Sequence, residues 1–334
     1  MTSANKTSPA SPSPEAAVPD AAAPGTQTPA PRGLLARALD SDILHSFLRS
    51  KVTILSAIVT FAFFIGAGFA PWLAPHNPFD LATISILDAR LPPVGMEYAD
   101  PRFLLGTDDQ GRDVFSGILY GARISLAVGF LSVFFAAVAG VLLGLIAGYV
   151  GGKVDAVIMR IAEVQLTFPA ILIALLVDGV ARALVGNLDR ERFAFWILVF
   201  SIALSFWVQF ARTVRGSTLV ERNKEYVQAA RLIGIPSFLI MIRHVLPNVM
   251  GPVLVIATIN LGLAIILEAT LSFLGVGIPS TQPSLGTLVR IGNDFLFSGE
   301  WWIAMFPGIA LAILVLAVNL LGDWLRDALN PKLR

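Results

Sequence analysis

Few side chains in this sequence have the type and spacing that chemistry requires. Two carboxylates, Glu163 and Glu268, interrupt long apolar runs, and Gln165 stands beside the first. Asp108, Asp109, Arg112 and Asp113 crowd into a polar stretch, while the three histidines, His45, His76 and His244, lie far apart. An Asp-Asp pair suggests hydrolysis or a metal, but no His or Cys adjoins it to complete a site. The chain has no Cys, which removes disulfides, thiolate metal sites and a Cys nucleophile. Gly152-Lys153 is followed by Val154, so the Gly-x4-Gly-Lys-Ser/Thr phosphate loop is missing and ATP hydrolysis by that route is excluded. No catalytic residue and no metal site are expected. An ionisable group inside a membrane span costs about 2.5 to 3.5 kcal/mol, so Glu163 and Glu268 must face protein or water. Two roles stay open for Glu163, Gln165 and Glu268: a translocation path or gate, and contacts between helices.

The elements that position these groups follow from composition. Of 334 residues 55% are hydrophobic and only 14% charged, with a mean hydropathy of +0.74, which places the chain in lipid. A hydrocarbon core of ~30 Å needs about 20 apolar residues at 1.5 Å each. Six segments answer to this, giving an all-α polytopic membrane protein with spans near 52–72, 124–150, 156–177, 193–211, 251–275 and 301–322. Residues 1–31, almost all Ala, Pro, Ser and Thr, are expected to be a disordered tail. Residues 32–122 hold the first span and a structured polar loop, 123–323 the other five spans, and 324–334 a short tail. Gly140, Gly144 and Gly148 stand four apart on the second span and suit close approach of another backbone, inside this subunit or from a second one.

An even number of spans puts both termini on one side. With the termini inside, the inner segments hold sixteen Lys and Arg residues and the outer ones eight, so the Lys/Arg bias predicts cytoplasmic termini and a cytoplasmic 212–247 loop. The net charge of +1, with its basic residues dispersed, leaves no footprint for nucleic acid. Membrane lipid is the expected surrounding.

The 212–247 loop is long for a connection between spans and reads as two short helices. Tyr226, Ala229, Ala230 and Ile233 recur at spacings of three and four, a stripe ended by Gly234 and Pro236; a second stretch runs from Ser237 to Pro247. Such a helix suits docking in a groove on another protein, or lying at the lipid boundary. The run Gln228-Ala229-Ala230, then Gly234, then Leu246-Pro247 resembles the EAA motif of binding-protein-dependent ABC importer permeases. The resemblance makes this loop, with Tyr226, the coupling segment that fits an ATPase subunit, the Ala pair and Gly carrying the packing. Gln228 stands where the motif has Glu, so no carboxylate contact is implied there.

Further segments narrow the match. Leu105-Gly-Thr-Asp-Asp-Gln-Gly-Arg-Asp-Val114 with Tyr120-Gly-Ala-Arg-Ile-Ser-Leu126, Glu268-Ala-Thr-Leu-Ser-Phe-Leu-Gly275, and Trp301-Trp302 through Pro307-Gly308 are similar to the dipeptide/oligopeptide (DppC/OppC-type) permease subfamily. What the resemblance implies is a type I ABC importer transmembrane fold in a bacterial inner membrane. It implies a second homologous permease, two ATPase subunits that use ATP and Mg, and an extracytoplasmic solute-binding protein. The cargo implied is a di- or oligopeptide, although relatives also carry nickel complexes and other solutes. No cofactor is implied for this chain itself. Asp108, Asp109, Arg112 and Asp113 are placed to meet the binding protein or to pair among themselves. Two rival classes answer to other features. A secondary transporter would show internal repeats, and an intramembrane enzyme would show a nucleophile with a base; neither is visible.

Overall fold

The computed structural model describes residues 47–80, 84–185 and 187–329; the expected tail at 1–31 lies outside them. Helix α1, Lys51–Gly68, starts at Ser50, whose hydroxyl accepts the Thr53 N–H at 3.3 Å. A loop then leads to α2, Val114–Val150, capped by Asp113, whose carboxylate accepts the Ser116 N–H at 2.9 Å. Six more helices precede the last: α3 Gly152–Leu166, α4 Ala170–Val185, α5 Asn187–Glu221, α6 Glu225–Leu232, α7 Ser237–Phe273 and α8 Leu285–Asn293. The last is α9, Trp302–Leu329. Among the described residues no strand forms; one isolated bridge, Thr107 with Asp113, ties the loop before α2.

Five of these helices are long and apolar enough to cross a membrane, and α3 with α4 make a sixth crossing if the pair is one span bent by 95°. The single helix expected over 156–177 is therefore two. Its cause is Pro169, which has no N–H to donate and whose ring clashes with the turn before it. The chain stops at Thr167, whose hydroxyl turns back to the Val164 carbonyl at 2.6 Å, and restarts with Leu172 N–H on the Pro169 carbonyl at 2.9 Å.

Close contacts fix the direction in which the bent pair runs. A Cβ on Gly140 would stand 2.4 Å from the Trp207 carbonyl oxygen, one on Gly144 2.4 Å from that of Ala211, and one on Gly148 2.7 Å from Thr218 Cβ. Numbers rise together, so α2 and α5 run parallel, and the chain between them must return across the bundle. The three glycines thus serve packing inside this subunit. Along α3 and α4 the order is reversed: Asp155 meets Arg215, Gln165 meets Trp207, and the Ala170 carbonyl meets Ser205. Helix α7 runs against α2, with Ser125 opposite Glu268 and Gly129 opposite Ile265. Both described ends lie at one end of the bundle, where the Phe47 and Trp324 rings lie 5.0 Å apart.

Candidate docking helix and the polar groups of the bundle

Eight residues are too few for a stable isolated helix, so α6 persists through packing. Val227 and Ala230 are buried in the main core with Tyr149, Val214, Ile240 and Val245. The opposite face shows Tyr226, Gln228, Ala229, Leu232 and Ile233, the last two 89% and 79% exposed, and Phe238 on the next helix is 68% exposed. The stripe read from the sequence is therefore split, Ala230 turning inward while Tyr226, Ala229 and Ile233 face out. An unpartnered apolar patch of this kind marks an interaction surface.

Helix α6 ends where Gly234 adopts φ of +84°, with the Ile235 N–H on the Ala230 carbonyl at 3.1 Å. A Cβ on Gly234 would meet nothing within 4 Å. Within this chain the glycine supplies a left-handed turn and makes no close contact. The stretch from Ser237 does not end at Pro247 either. It continues as α7 through a π turn, Met241–Val245, whose following residue Leu246 donates to the Met241 carbonyl. Pro247 cannot donate to the carbonyl four residues back, and the wider turn before it removes the clash. Leu246 packs against the core and Pro247 is exposed.

Polar contacts fasten α6 to three spans. Arg222 donates to the Gly148 carbonyl at 2.8 Å, capping the C-terminus of α2. Arg231 donates to the Tyr149 hydroxyl at 3.3 Å, its guanidinium carbon 4.9 Å from that ring's centroid. The Tyr226 phenol donates to Glu221 at the end of α5 and accepts from Asn248 of α7 at 3.0 Å. Burial, then the Glu221 hydrogen bond, push that phenol up to about 12, so it remains a neutral donor. Lys224 pairs with Glu221 at 2.9 Å. Glu221, Arg222 and Arg231 escaped the sequence reading, because a salt-bridged or capping role leaves no spacing pattern to find.

Glu268 is fully buried. Ser125 of α2 donates to its Oε2 and Ser272 to its Oε1, each at 2.7 Å. The Leu285 N–H at the start of α8 donates to Ser125, and the Ile278 N–H to Ser272, so both hydroxyl protons are left for the carboxylate. Glu268 is a helix contact joining α2, α7 and α8. Gln165 is another: its amide accepts from Trp207 Nε1 at 2.7 Å and donates to the Leu204 carbonyl. Glu163 differs, its side chain 62% exposed and paired with Arg160 at 3.4 Å.

The Asp-Arg cluster of the loop before α2 is mostly turned inward. Asp108 and Arg112 pair at 2.6 Å with both side chains 6% exposed, and Arg112 also donates to the Ser280 carbonyl at 3.2 Å. Asp113 is consumed in capping α2. Asp109 is half-buried, and burial followed by the neighbouring Asp108 charge raises its carboxyl above the usual range. Three of the four, Asp108, Arg112 and Asp113, are thus buried in a local network. Among the described residues no group of His, Cys, Asp and Glu is placed to hold a metal ion.

Comparison with known proteins joins these features. A family model described as binding-protein-dependent transport system inner membrane component matches residues 140–334, and one described as the N-terminal TM domain of oligopeptide transport permease C matches 41–93. The chain belongs to the binding-protein-dependent inner membrane permeases. A di/tripeptide transport system permease of Pseudomonas aeruginosa (strain UCBPP-PA14) is 36% identical over 87% of this chain and 91% of its own length. The dipeptide transport system permease of Bacillus subtilis (strain 168) is 36% identical over 88% and 86%. A chain of the MetNI methionine ABC transporter, in inward facing conformations, shares the fold at 20% identity and a TM-score of 0.50, over 64% of this chain and 96% of that one. The protein is thus a multi-pass permease of an ABC importer, and ATP hydrolysis falls to separate subunits.

Proposed function

We propose that this permease takes up di- or oligopeptides handed over by an extracytoplasmic binding protein, with α6 seated in a groove on an ATPase subunit. The observation that carries the reading is the outward apolar face of α6, Ala229, Leu232 and Ile233, on a helix fastened to α2, α5 and α7. A push on that face is delivered to three spans at once. The names of the relatives support the peptide class. A second homologous permease and two ATPase subunits complete the assembly, and ATP and Mg belong to the latter. The Lys/Arg bias supports termini and α6 in the cytoplasm of a bacterial cell, with the outer loop on the far side of the inner membrane.

Ala229→Asp and Leu232→Asp test this in membranes that also carry the partner subunits. Each charge in a docking hot spot should cost about 2 kcal/mol or more of ATPase-subunit binding. Peptide uptake should then collapse while membrane insertion is unchanged. Normal uptake by both variants would sink the assignment.

A further inference from the structure

One face of the bundle combines three things that lipid does not tolerate, and they lie at the same depth. The span Phe193–Glu221 of α5 provides the ruler. Gln165 is bonded to Leu204 and Trp207, Ser205 donates to the Ala170 carbonyl at 3.3 Å, and Ala162 packs with Trp207 and Val208. The end of α3 and the start of α4 are therefore level with the middle of that span. Here the helix breaks at Thr167, Phe168 and Pro169, all three exposed, and the amides of Ala170 and Ile171 precede the first return bonds of α4, which Leu172 and Ile173 make to the Pro169 carbonyl. Glu163 stands at this level too, and Arg160 one turn nearer the Asp155–Arg215 pair, with side chains 62% and 78% exposed. Irregular backbone at membrane depth is tolerated only against protein or water, and exposed charges there are costly against hydrocarbon. The contrast is with α2, whose exposed stripe Phe130, Phe134, Val138, Leu142, Ile146 and Val150 is entirely apolar and suits lipid.

We infer that the translocation path runs along the α3–α4 break, with Arg160, Glu163 and Thr167 wetted at mid-membrane. This rests on the importer reading and adds to it the wall of this subunit that the cargo passes. Glu163 is then a lining residue whose carboxylate is balanced by Arg160, so the wall offers both signs of charge to a zwitterionic peptide.

The absence of Cys makes single-thiol labelling direct. Glu163→Cys, Thr167→Cys, Phe134→Cys and Leu142→Cys would each be assembled with the partner subunits in proteoliposomes and treated with a cationic, membrane-impermeant methanethiosulfonate. Because thiolate forms only where water reaches, positions 163 and 167 should react at least about tenfold faster than 134 and 142. Labelling at 167 should also block ATP-driven peptide uptake. Arg160→Cys stands in should either variant fail to assemble. Equal inertness at all tested positions while uptake proceeds would overturn the path and leave the importer standing. Fast labelling at 163 and 167 in an assembly whose unmodified form takes up no peptide would instead overturn the cargo and leave the wetted wall.

Discussion

At Gly234 only backbone torsion is at stake. With φ of +84° and open space where a Cβ would go, Gly234→Val should cost about 1–2 kcal/mol by forcing a left-handed conformation, and Gly234→Asn much less. Melting temperatures of the detergent-solubilised assembly check the ranking. Glu268 makes the opposite demand, for acceptors: with both serine protons aimed at it, Glu268→Gln turns an amide donor towards a hydroxyl donor. A loss of about 1–3 kcal/mol should follow, with uptake per folded molecule retained. Uptake abolished at an unchanged melting temperature would show instead that the carboxylate acts in transport. In the outer loop, Asp108→Ala strands the Arg112 guanidinium in a buried site and should cost about 3–5 kcal/mol. Asp109→Asn removes a charge that burial already disfavours. Its raised carboxyl means that Asp109 contributes less stability as pH rises through its folded value, so this variant should flatten the loss of stability above the carboxylate range. A melting series against pH reads both.

Helices were legible where length decided. The runs 124–150 and 301–322 lie within α2 and α9, both long and apolar enough to cross a membrane. What escaped were features whose cause lies in tertiary pairing. The apolar run ends at residue 211, yet α5 continues to Glu221, where Arg215 is paired with Asp155 of α3 at 2.7 Å. The break at Pro169 was signalled by a single residue inside an apolar run, and the π turn before Pro247 by none, since its reason is the ring of a residue that follows it. The Asp-Arg cluster was legible as charges that could pair, but its burial was not, because Arg112 also reaches the distant Ser280 carbonyl. The glycine spacing on α2 was legible as close packing, but only the contacts name α5 as the partner. Gly144→Leu should therefore separate α2 from α5, whose Ala211 oxygen stands 2.4 Å from the new Cβ, at a cost above the usual 1–3 kcal/mol of overpacking. Lower recovery of folded protein, not a selective loss of uptake, is the expected result.

For the molecule as a whole, mild-detergent purification of the chain should bring with it a second permease and ATPase subunits, and Leu232→Asp should deplete the ATPase selectively. Isolation of the chain alone, with flux driven by an ion gradient, would contradict the importer. The parallel pairing of α2 and α5 has a mechanical meaning of its own. Joined at Gly140, Gly144 and Gly148, with Arg222 clamped to the end of α2, the two helices form one stiff beam. A beam that tilts about its middle is a see-saw: the end bearing α6 and the end bearing the outer loop swing in opposite directions. Paired spin labels should then report anticorrelated separations between the two ends during a nucleotide cycle, one gap widening as the other narrows. Reciprocal opening would need no relay of contacts along the membrane, only a lever too stiff to bend.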